Sequence, residues 1–389
     1  MQKFCFFCVT YAKDFRNFTR MIESFNRHNR ENIPFIIALQ DERIYAEPRI
    51  KTELQAEAKN DIEIVSNGGG QKKLENPPNP LNSVKNQDST PNINISKLDS
   101  ANYADSAPNI NIDSSQDSTI NLDSKPHSAT LALQTAFLNI LQDFKQYENS
   151  NIKIILDSDF AKDYLITHSP PNSLKAGYLN QEIAKLAFFE SNIAEHYLCI
   201  DSDTIFIRDF GMADFFADSL TPYIVLCQDK DLHSTSYYEA FAKERLRGIK
   251  RIFDFIDLAD LRLRTCHNSQ IFSSKILRSF KSEIMEKNHL TYADLMAISP
   301  FEFSWYSAYF QKCKLIKEVQ IEPFFKMYHT KAEYALDRLS SRNLEHLKSQ
   351  YIGVILNSNW AGNMGFESGG KLNKMILKIL FFLIKKFIC

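Results

Sequence analysis

The sequence lacks several features that would assign it to common classes of protein. Its 389 residues carry a formal net charge of -1, so no overall positive field draws the chain to nucleic acid. Only Lys3 precedes the first apolar run, and no cleavage-site pattern follows, so we expect no signal peptide. Cys5 and Cys8 form a C-x-x-C with no second pair to complete a zinc site, which favours a place in the core.

The composition does supply enough apolar surface for a large core. Hydrophobic residues make up 44% of the chain and aromatic residues 12%. The length suits one large α/β domain with additions, or two domains. Most of the seven cysteines lie in apolar runs, where a free thiol behaves as a small hydrophobe, and this pattern suits a reducing cytosol.

Short apolar runs alternate with helical patterns in the first part of the chain. Buried strands are predicted at residues 3–10, 33–39 and 152–157, and a helix is predicted after the first of them. Asp14 is expected to cap that helix. The order strand, helix, strand predicts an α/β fold with a mainly parallel sheet and helices on both faces.

A segment from 66 to 126 differs from the rest because large apolar residues almost vanish. It contains an internal repeat, DSTPNINISKLDS at 88–100 and DSAPNINIDSSQDS at 105–118. Such a composition cannot bury enough surface to offset the entropy lost on ordering, so we predict a disordered insertion. The predicted domain therefore comprises 1–65 and 127–356, followed by a tail at 357–389.

The most informative stretch is HYLCIDSDTIFIRDF, which begins at His196. An apolar strand runs into Asp201-Ser202-Asp203, and a second apolar run follows. Two carboxylates at a strand end can hold a hard cation such as Mg²⁺ or Mn²⁺, which binds one or two carboxylates plus substrate phosphates. An acidic turn between two strands is the alternative. The strand at 152–157 also ends in a D-x-D, Asp157-Ser158-Asp159, which is a rival metal site that lacks a following strand.

The D-x-D strand resembles that of a bacterial family of GT-A-like glycosyltransferases classed as a domain of unknown function. The opening VTYAKDF and MIESF resemble the start of the same family, and the resemblance covers about residues 1–45 and 150–330. It implies a GT-A-like, Rossmann-like fold, a nucleotide-sugar co-substrate and Mn²⁺ or Mg²⁺. The residues that it implies are donor contacts from Thr10, Tyr11, Gln181, Lys185, Asp201 and Ser202, and metal ligands Asp201, Asp203 and His329. For Lys185 a solvated helix face is the alternative, and for His329 a structural role.

Two further segments suggest an acceptor side. TCHNSQIFSS at 265–274 resembles the acceptor-side strand of the family, with His267 and Asn268 at its start. In PFEFSWYSAYF at 300–310, Glu302, Tyr306 and Tyr309 fall near one helical face, which suits sugar recognition. Glu302 is the candidate catalytic base for an acceptor hydroxyl. An aromatic core helix with one exposed glutamate is the alternative.

The tail ends in KLNKMILKILFFLIKKFIC, a pattern typical of a basic amphipathic helix. Its apolar stretch is interrupted by Lys378 and closed by Lys385, so it is too short to cross a bilayer. Lysines on one helical face opposite an apolar face predict binding to an anionic membrane surface. A helix packed on the protein body is the alternative.

The sequence as a whole predicts a metal-dependent glycosyltransferase that moves a sugar from a nucleotide-sugar donor to a cell-envelope glycan or lipid-linked acceptor. We expect a cytoplasmic protein, peripheral at the inner face of the bacterial inner membrane. A haloacid-dehalogenase-like phosphohydrolase is an alternative, although Ile205 stands where that nucleophile motif has Thr or Val. A non-catalytic membrane-bound adaptor is another.

Overall fold

The structure is a computed structural model that describes residues 1–44, 125–168, 174–227, 239–259, 262–328 and 344–357, together with Tyr334 and Asp337. Nearly all of the predicted insertion, His329 and residues 358–389 lie outside these ranges. The predictions of disorder in the insertion and of an amphipathic helix in the tail therefore stay predictions.

A five-stranded sheet forms the centre of the molecule, in the order β3-β2-β1-β4-β7. The first four strands are parallel, and β7 runs antiparallel to β4. The mainly parallel α/β sheet predicted from the sequence is confirmed. Its strands are β1 (Gln2–Thr10), β2 (Phe35–Leu39), β3 (Ile152–Leu156), β4 (Ala194–Ile200) and β7 (Gln270–Ser273).

The apolar run of β1 has no polar alternation because both faces of the sheet are covered. Successive side chains of the strand enter two different hydrophobic clusters, one on each face of the sheet. Cys5 and Cys8, three residues apart, therefore point to opposite faces. Both are buried free thiols, which confirms the prediction that this C-x-x-C belongs to the core.

Helices pack on both faces of this sheet. One cluster contains residues of α1 and α2, and the other contains residues of α4 to α8. The helix predicted after the first strand is α1, which buries Phe18, Met21, Ile22 and Phe25 as its spacing indicates. The helices are α1 (Phe15–His28), α2 (Lys125–Lys145), α3 (Ser158–Ala161), α4 (Ala176–Ala187), α5 (Glu239–Phe255), α6 (Ser274–Phe280), α7 (Tyr292–Ile298), α8 (Glu302–Cys313) and α9 (Leu344–Gln350). A π-helical turn, Lys281–Glu286, extends α6.

A small second sheet, ordered β5-β10-β9, forms directly after the D-x-D turn. In it β10 runs antiparallel to β5 and parallel to β9. Gly353 lies opposite Phe206, and a Cβ at this position would come within 2.5 Å of the Ile205 carbonyl oxygen, so the strands meet this closely only with glycine. The remaining strands are β5 (Thr204–Phe206), β6 (Ile224–Val225), β8 (Gln320–Ile321), β9 (Phe325–Tyr328) and β10 (Gly353–Leu356).

The order of the strands creates a switch point in the sheet. The chain places β2 and β3 on one side of β1 and then β4 on the other side. In open α/β sheets ligands bind at such a point, outside the carboxyl ends of the two strands. None of the described helices is long and apolar enough to span a bilayer.

Candidate functional site

The D-x-D tripeptide lies at the switch point. It follows the last residue of β4, and the Thr204 amide donates to the Asp201 carbonyl oxygen at 3.1 Å to close the turn into β5. The Asp201 side chain is 30% exposed, whereas Ser202 is buried. The turn therefore presents a partly open carboxylate at the carboxyl edge of the sheet and anchors itself through its middle residue.

The residue that anchors the turn is Asp14. Its role differs from the helix cap that the sequence predicted. Asp14 stands at the N-cap position of α1, but its side chain makes no capping bond. Instead Ser202 Oγ donates to Asp14 Oδ2, and Asn17 Nδ2 donates to Asp14 Oδ1 at 2.6 Å. Burial raises the pKa of Asp14, and the negative charge of Asp201 adds to the rise, while the bonds from Ser202 and Asn17 oppose it.

The loop after β1 reaches the site through Tyr11. Thr10 is buried, so of the two predicted donor contacts in this loop only Tyr11, 38% exposed, presents a surface to solvent. Burial raises the pKa of Tyr11, and the negative charges of Asp14 and Asp203 add to the effect. The Tyr11 hydroxyl therefore lies in the field of the acidic turn.

The helix before β4 contributes Gln181 and Lys185, as the sequence predicts. The Gln181 side-chain amide donates to the Val9 carbonyl oxygen at 3.5 Å, near the end of β1. Lys185 is not on a solvated face, because its side chain is only 4% exposed. Its ammonium lies beneath the D-x-D turn, with Nζ 3.1 Å from Asp201 Oδ1.

Two glutamates surround the same ammonium. Lys185 Nζ donates to Glu302 Oε1 at 2.9 Å and to Glu182 Oε2 at 3.4 Å. Glu302 comes from the start of α8, and Glu182 stands one helical turn before Lys185 on α4. Glu182 was not among the predicted site residues, since a Glu and a Lys three apart on a helix ordinarily indicate a surface pair.

The Lys185 ammonium thus lies among two buried glutamates and the partly exposed Asp201. Burial raises the pKa of Glu182 well above its usual range, and the negative charge of Glu302 adds to the rise. Burial also acts to raise the pKa of Glu302, but Lys185 and a hydrogen bond from Glu182 outweigh it, so this pKa is lowered. Of the two glutamates, Glu302 makes the shorter contact with the Lys185 ammonium.

The structure also corrects the aromatic face predicted on α8. Tyr306 and Tyr309 are buried, with only 2% and 4% of their surface exposed. The Tyr306 hydroxyl accepts the Ser273 amide at 3.0 Å, and Tyr309 shares a hydrogen bond with the Ser279 hydroxyl at 2.7 Å. These rings belong to the core and do not form an exposed platform for a sugar. A role of Glu302 as catalytic base stays a prediction.

The rival D-x-D at the end of β3 has its carboxylates engaged by the backbone. Asp157 Oδ1 accepts the Asp41 amide at 2.8 Å, and Asp159 Oδ2 accepts the Leu156 amide at 2.9 Å. Ser158 Oγ donates to Asp41 Oδ2 at 2.8 Å. Burial raises the pKa of Asp157 to about 7. These contacts make the tripeptide a structural turn that ties the end of β3 to Asp41, just after β2.

The D-x-D at the end of β4 has the right donors for a divalent cation, but not a complete set. In the ranges that the structure describes, no three His, Cys, Asp or Glu side chains are grouped to hold a metal. Two carboxylates suit Mg²⁺ or Mn²⁺ when donor phosphates complete the shell. His329, the predicted third ligand, lies outside the described residues. The carbonyl of its neighbour Tyr328 accepts the Asn357 amide, and the Leu356 amide donates to the Asp203 carbonyl oxygen.

The predicted acceptor-side segment reaches the same edge because β7 runs against β4. Cys199 pairs with Gln270, so the residues that precede Gln270 lie toward the D-x-D turn. Asn268 is buried and its side-chain amide donates to the Phe325 carbonyl oxygen at 3.5 Å. The segment thus ties the central sheet to the small sheet beside the D-x-D turn.

Comparisons with known proteins add little to this geometry. No protein-family model matches the sequence, and no curated protein matches it. Among solved structures, the apo structure of the WbbM bifunctional glycosyltransferase is similar, with a TM-score of 0.39 and 9% sequence identity. The match covers 97% of this chain and 51% of that one, so the chain spans about half the length of that protein. A TM-score this low does not establish a common fold, and the functional proposal depends on the site alone.

Proposed function

We propose that the chain is a metal-dependent glycosyltransferase that moves a sugar from a nucleotide-sugar donor to a cell-envelope glycan or lipid-linked acceptor. The observation that carries the proposal is the position of the D-x-D turn. It stands at the carboxyl end of β4, next to the carboxyl end of β1, at the switch point of a mainly parallel sheet. Ligands of open α/β sheets bind at this point.

Asp201 and Asp203 are the residues that would hold Mn²⁺ or Mg²⁺, with donor phosphates completing its shell. His329 remains the proposed third protein ligand. When bound, the cation would neutralise negative charge on the leaving nucleoside diphosphate. The chain itself fixes the turn, because the buried Ser202 hydroxyl is bound to Asp14.

The other residues of the edge suit the binding of a nucleotide sugar. Tyr11 offers a partly exposed ring beside the turn, and Gln181 lies at the end of β1. Lys185 supplies a buried positive charge under Asp201 that could meet a phosphate or a sugar hydroxyl. Together these residues would orient the donor.

The test is incubation with a panel of nucleotide sugars in the presence of Mn²⁺. We expect metal-dependent hydrolysis of one donor, which stops when a chelator is added and resumes when Mn²⁺ is restored. Turnover of a phosphomonoester instead would support a phosphohydrolase. Turnover of neither class, in protein shown to be folded, would contradict an enzymatic role and favour an adaptor.

The proposed location is the inner face of the bacterial inner membrane, through the tail at 371–389. Four lysines lie at positions 371, 374, 378 and 385, and each could contribute on the order of 1 kcal/mol near an anionic surface. Liposome flotation of the full chain and of a chain ending at residue 370, at low and high salt, tests this. Equal flotation of both chains, or of neither, would contradict the anchor.

A further inference from the structure

Lys185 has more protein partners than a residue that only contacts the donor would need. A lysine ammonium has three N–H donors and, once buried, needs an acceptor for each. Here the hydrogen bonds go to Glu302 at 2.9 Å and Glu182 at 3.4 Å. The third contact, to Asp201, is an ion pair at 3.1 Å without the geometry of a hydrogen bond.

Exposure separates these three partners. The side chains of Glu182 and Glu302 are 5% and 7% exposed, whereas that of Asp201 is 30% exposed. A ligand that approaches from solvent therefore meets Asp201 first. The contact that an incoming anion can replace is the ion pair with Asp201, while the two bonds to the glutamates lie behind the ammonium.

We propose that Glu182 and Glu302 are positioning residues, which hold the Lys185 ammonium beneath the D-x-D turn. From this position the ammonium can exchange its ion pair with Asp201 for a contact with the donor. This inference rests on the proposed function for its consequence in donor binding. The exchange would also free Asp201 from its ion pair with Lys185, so that its carboxylate could serve as a metal ligand. Misplacement of a charged group by about 1 Å in such a site can cost on the order of a hundredfold in rate.

The two glutamates fill different roles in this arrangement. Glu302 supplies the negative charge that is paired with Lys185. Glu182 makes the longer contact with the same ammonium, at 3.4 Å against 2.9 Å for Glu302. An amide at position 302 removes the carboxylate that lies 2.9 Å from the buried ammonium, whereas an amide at position 182 removes the one that lies 3.4 Å away.

The test compares Glu182→Gln, Glu302→Gln and Glu302→Asp with the wild-type protein. The probes are Mn²⁺ alone, Mn²⁺ with UDP, and Mn²⁺ with GDP. Titration calorimetry measures the binding of each. We expect Glu302→Gln and Glu302→Asp to weaken binding of the nucleotide with Mn²⁺ by at least about tenfold, and Glu182→Gln by less than about threefold. The aspartate variant is decisive because it keeps the charge and shortens only its reach. Wild-type affinity in Glu302→Asp would overturn the positioning role, as would equal losses in the two glutamine variants.

Thermal unfolding without ligand separates this inference from the proposed function. Glu302→Gln should lower the melting temperature by at least about 5 °C, Glu182→Gln by less, and Lys185→Met should restore part of the loss in the Glu302→Gln background. If the wild-type protein binds neither probe and hydrolyses no donor of the nucleotide-sugar panel, the proposed function is overturned. The unfolding data then decide the anchoring of Lys185: unequal losses with restoration support it, and equal losses without restoration overturn it.

Discussion

The same tripeptide, Asp-Ser-Asp, ends two parallel strands of one sheet and does two different things. At the end of β3 it stands on an edge strand, and both of its carboxylates accept backbone amides. At the end of β4 it stands beside β1, over a buried lysine, with one carboxylate 30% exposed. The motif is identical, so the neighbours of the strand decide whether its first carboxylate is buried against backbone amides or partly exposed over a lysine.

The serines of the two turns show the same principle. Ser158 donates to Asp41, which follows the adjacent strand β2. Ser202 donates to Asp14, in the loop after the adjacent strand β1. In both turns the middle residue binds a carboxylate that lies just after the neighbouring strand of the sheet. What differs is the charge beneath, because the Lys185 ammonium lies 3.1 Å from Asp201, and no such contact is described for Asp157 or Asp159 of the other turn.

The largest difference between the two turns is expected when the last aspartate of each turn is removed. Asp203→Ala should abolish Mn²⁺ binding in the presence of UDP or GDP and lower transfer on the order of a thousandfold, because a metal ligand is lost. Asp159→Ala should lose only a hydrogen bond to Leu156, about 1 kcal/mol of stability. Calorimetry and donor hydrolysis measure both. Equal activity of the two variants would mean that the β4 turn is not the metal site.

Removing the middle serines should give a smaller difference. Ser202→Ala removes the bond that ties the turn to Asp14, which leaves a buried carboxylate short of a donor. We expect transfer to fall about tenfold and stability by about 1–3 kcal/mol. Ser158→Ala should cost similar stability but no activity, because its partner Asp41 lies at the other turn. Steady-state rates, combined with urea unfolding of each variant, check this. A loss of activity in Ser158→Ala would show that the two turns are coupled.

The buried aspartate of the β3 turn should make the stability of the protein depend on pH. Burial raises the pKa of Asp157 to about 7, so the folded protein keeps a proton that the unfolded chain releases near its usual pKa of about 4. The resulting stabilisation is full below pH of about 4 and is lost as pH rises through about 7. Asp157→Asn cannot titrate, so its stability relative to wild type should increase between about pH 4 and 7, on the order of a few kcal/mol. Urea unfolding at a series of pH values measures this, with Asp159→Asn as control. Parallel pH profiles of wild type and Asp157→Asn would contradict the prediction.

The smallest expected effect concerns the insertion, which lies between β2 and β3 in the sequence. Deleting residues 68–120, which leaves α2 intact, should change activity and melting temperature little, because the entropy of loop closure grows slowly with length. Donor hydrolysis and thermal unfolding of the deleted and full chains test it. A fall in melting temperature of more than about 5 °C would show that the segment packs on the protein.

Much of the fold and part of the site could be predicted from local patterns. The run at 152–157 is β3, which the structure places at Ile152–Leu156, and the helix predicted at 300–310 is Glu302–Cys313. Helical spacing placed Gln181 and Lys185 on one helix, and both lie at the end of the sheet. Apolar runs and helical periods are local properties, so one sequence suffices to read them.

The errors arise where a contact joins distant parts of the chain. Asp14 has the sequence context of a helix cap, and its bond to Ser202 follows only from the pairing of β1 with β4. Periodicity placed Glu302, Tyr306 and Tyr309 on one face, but could not tell whether that face meets solvent or the core. Glu182 carries no local signal of burial, because its partners Lys185 and Glu302 surround it only once α8 packs on α4.

The small sheet beside the D-x-D turn also determines when the site is completed. β5 follows Asp203 directly, yet its antiparallel partner is Gly353–Leu356, almost 150 positions later in the chain. During synthesis the ribosome releases β1 to β4 long before β10 exists, so the central sheet can form while the strand after the metal turn is still unpaired. The turn acquires its final support only when Leu356 reaches the Asp203 carbonyl. A nascent chain therefore gains its proposed activity late, after nearly all of the described residues have been made.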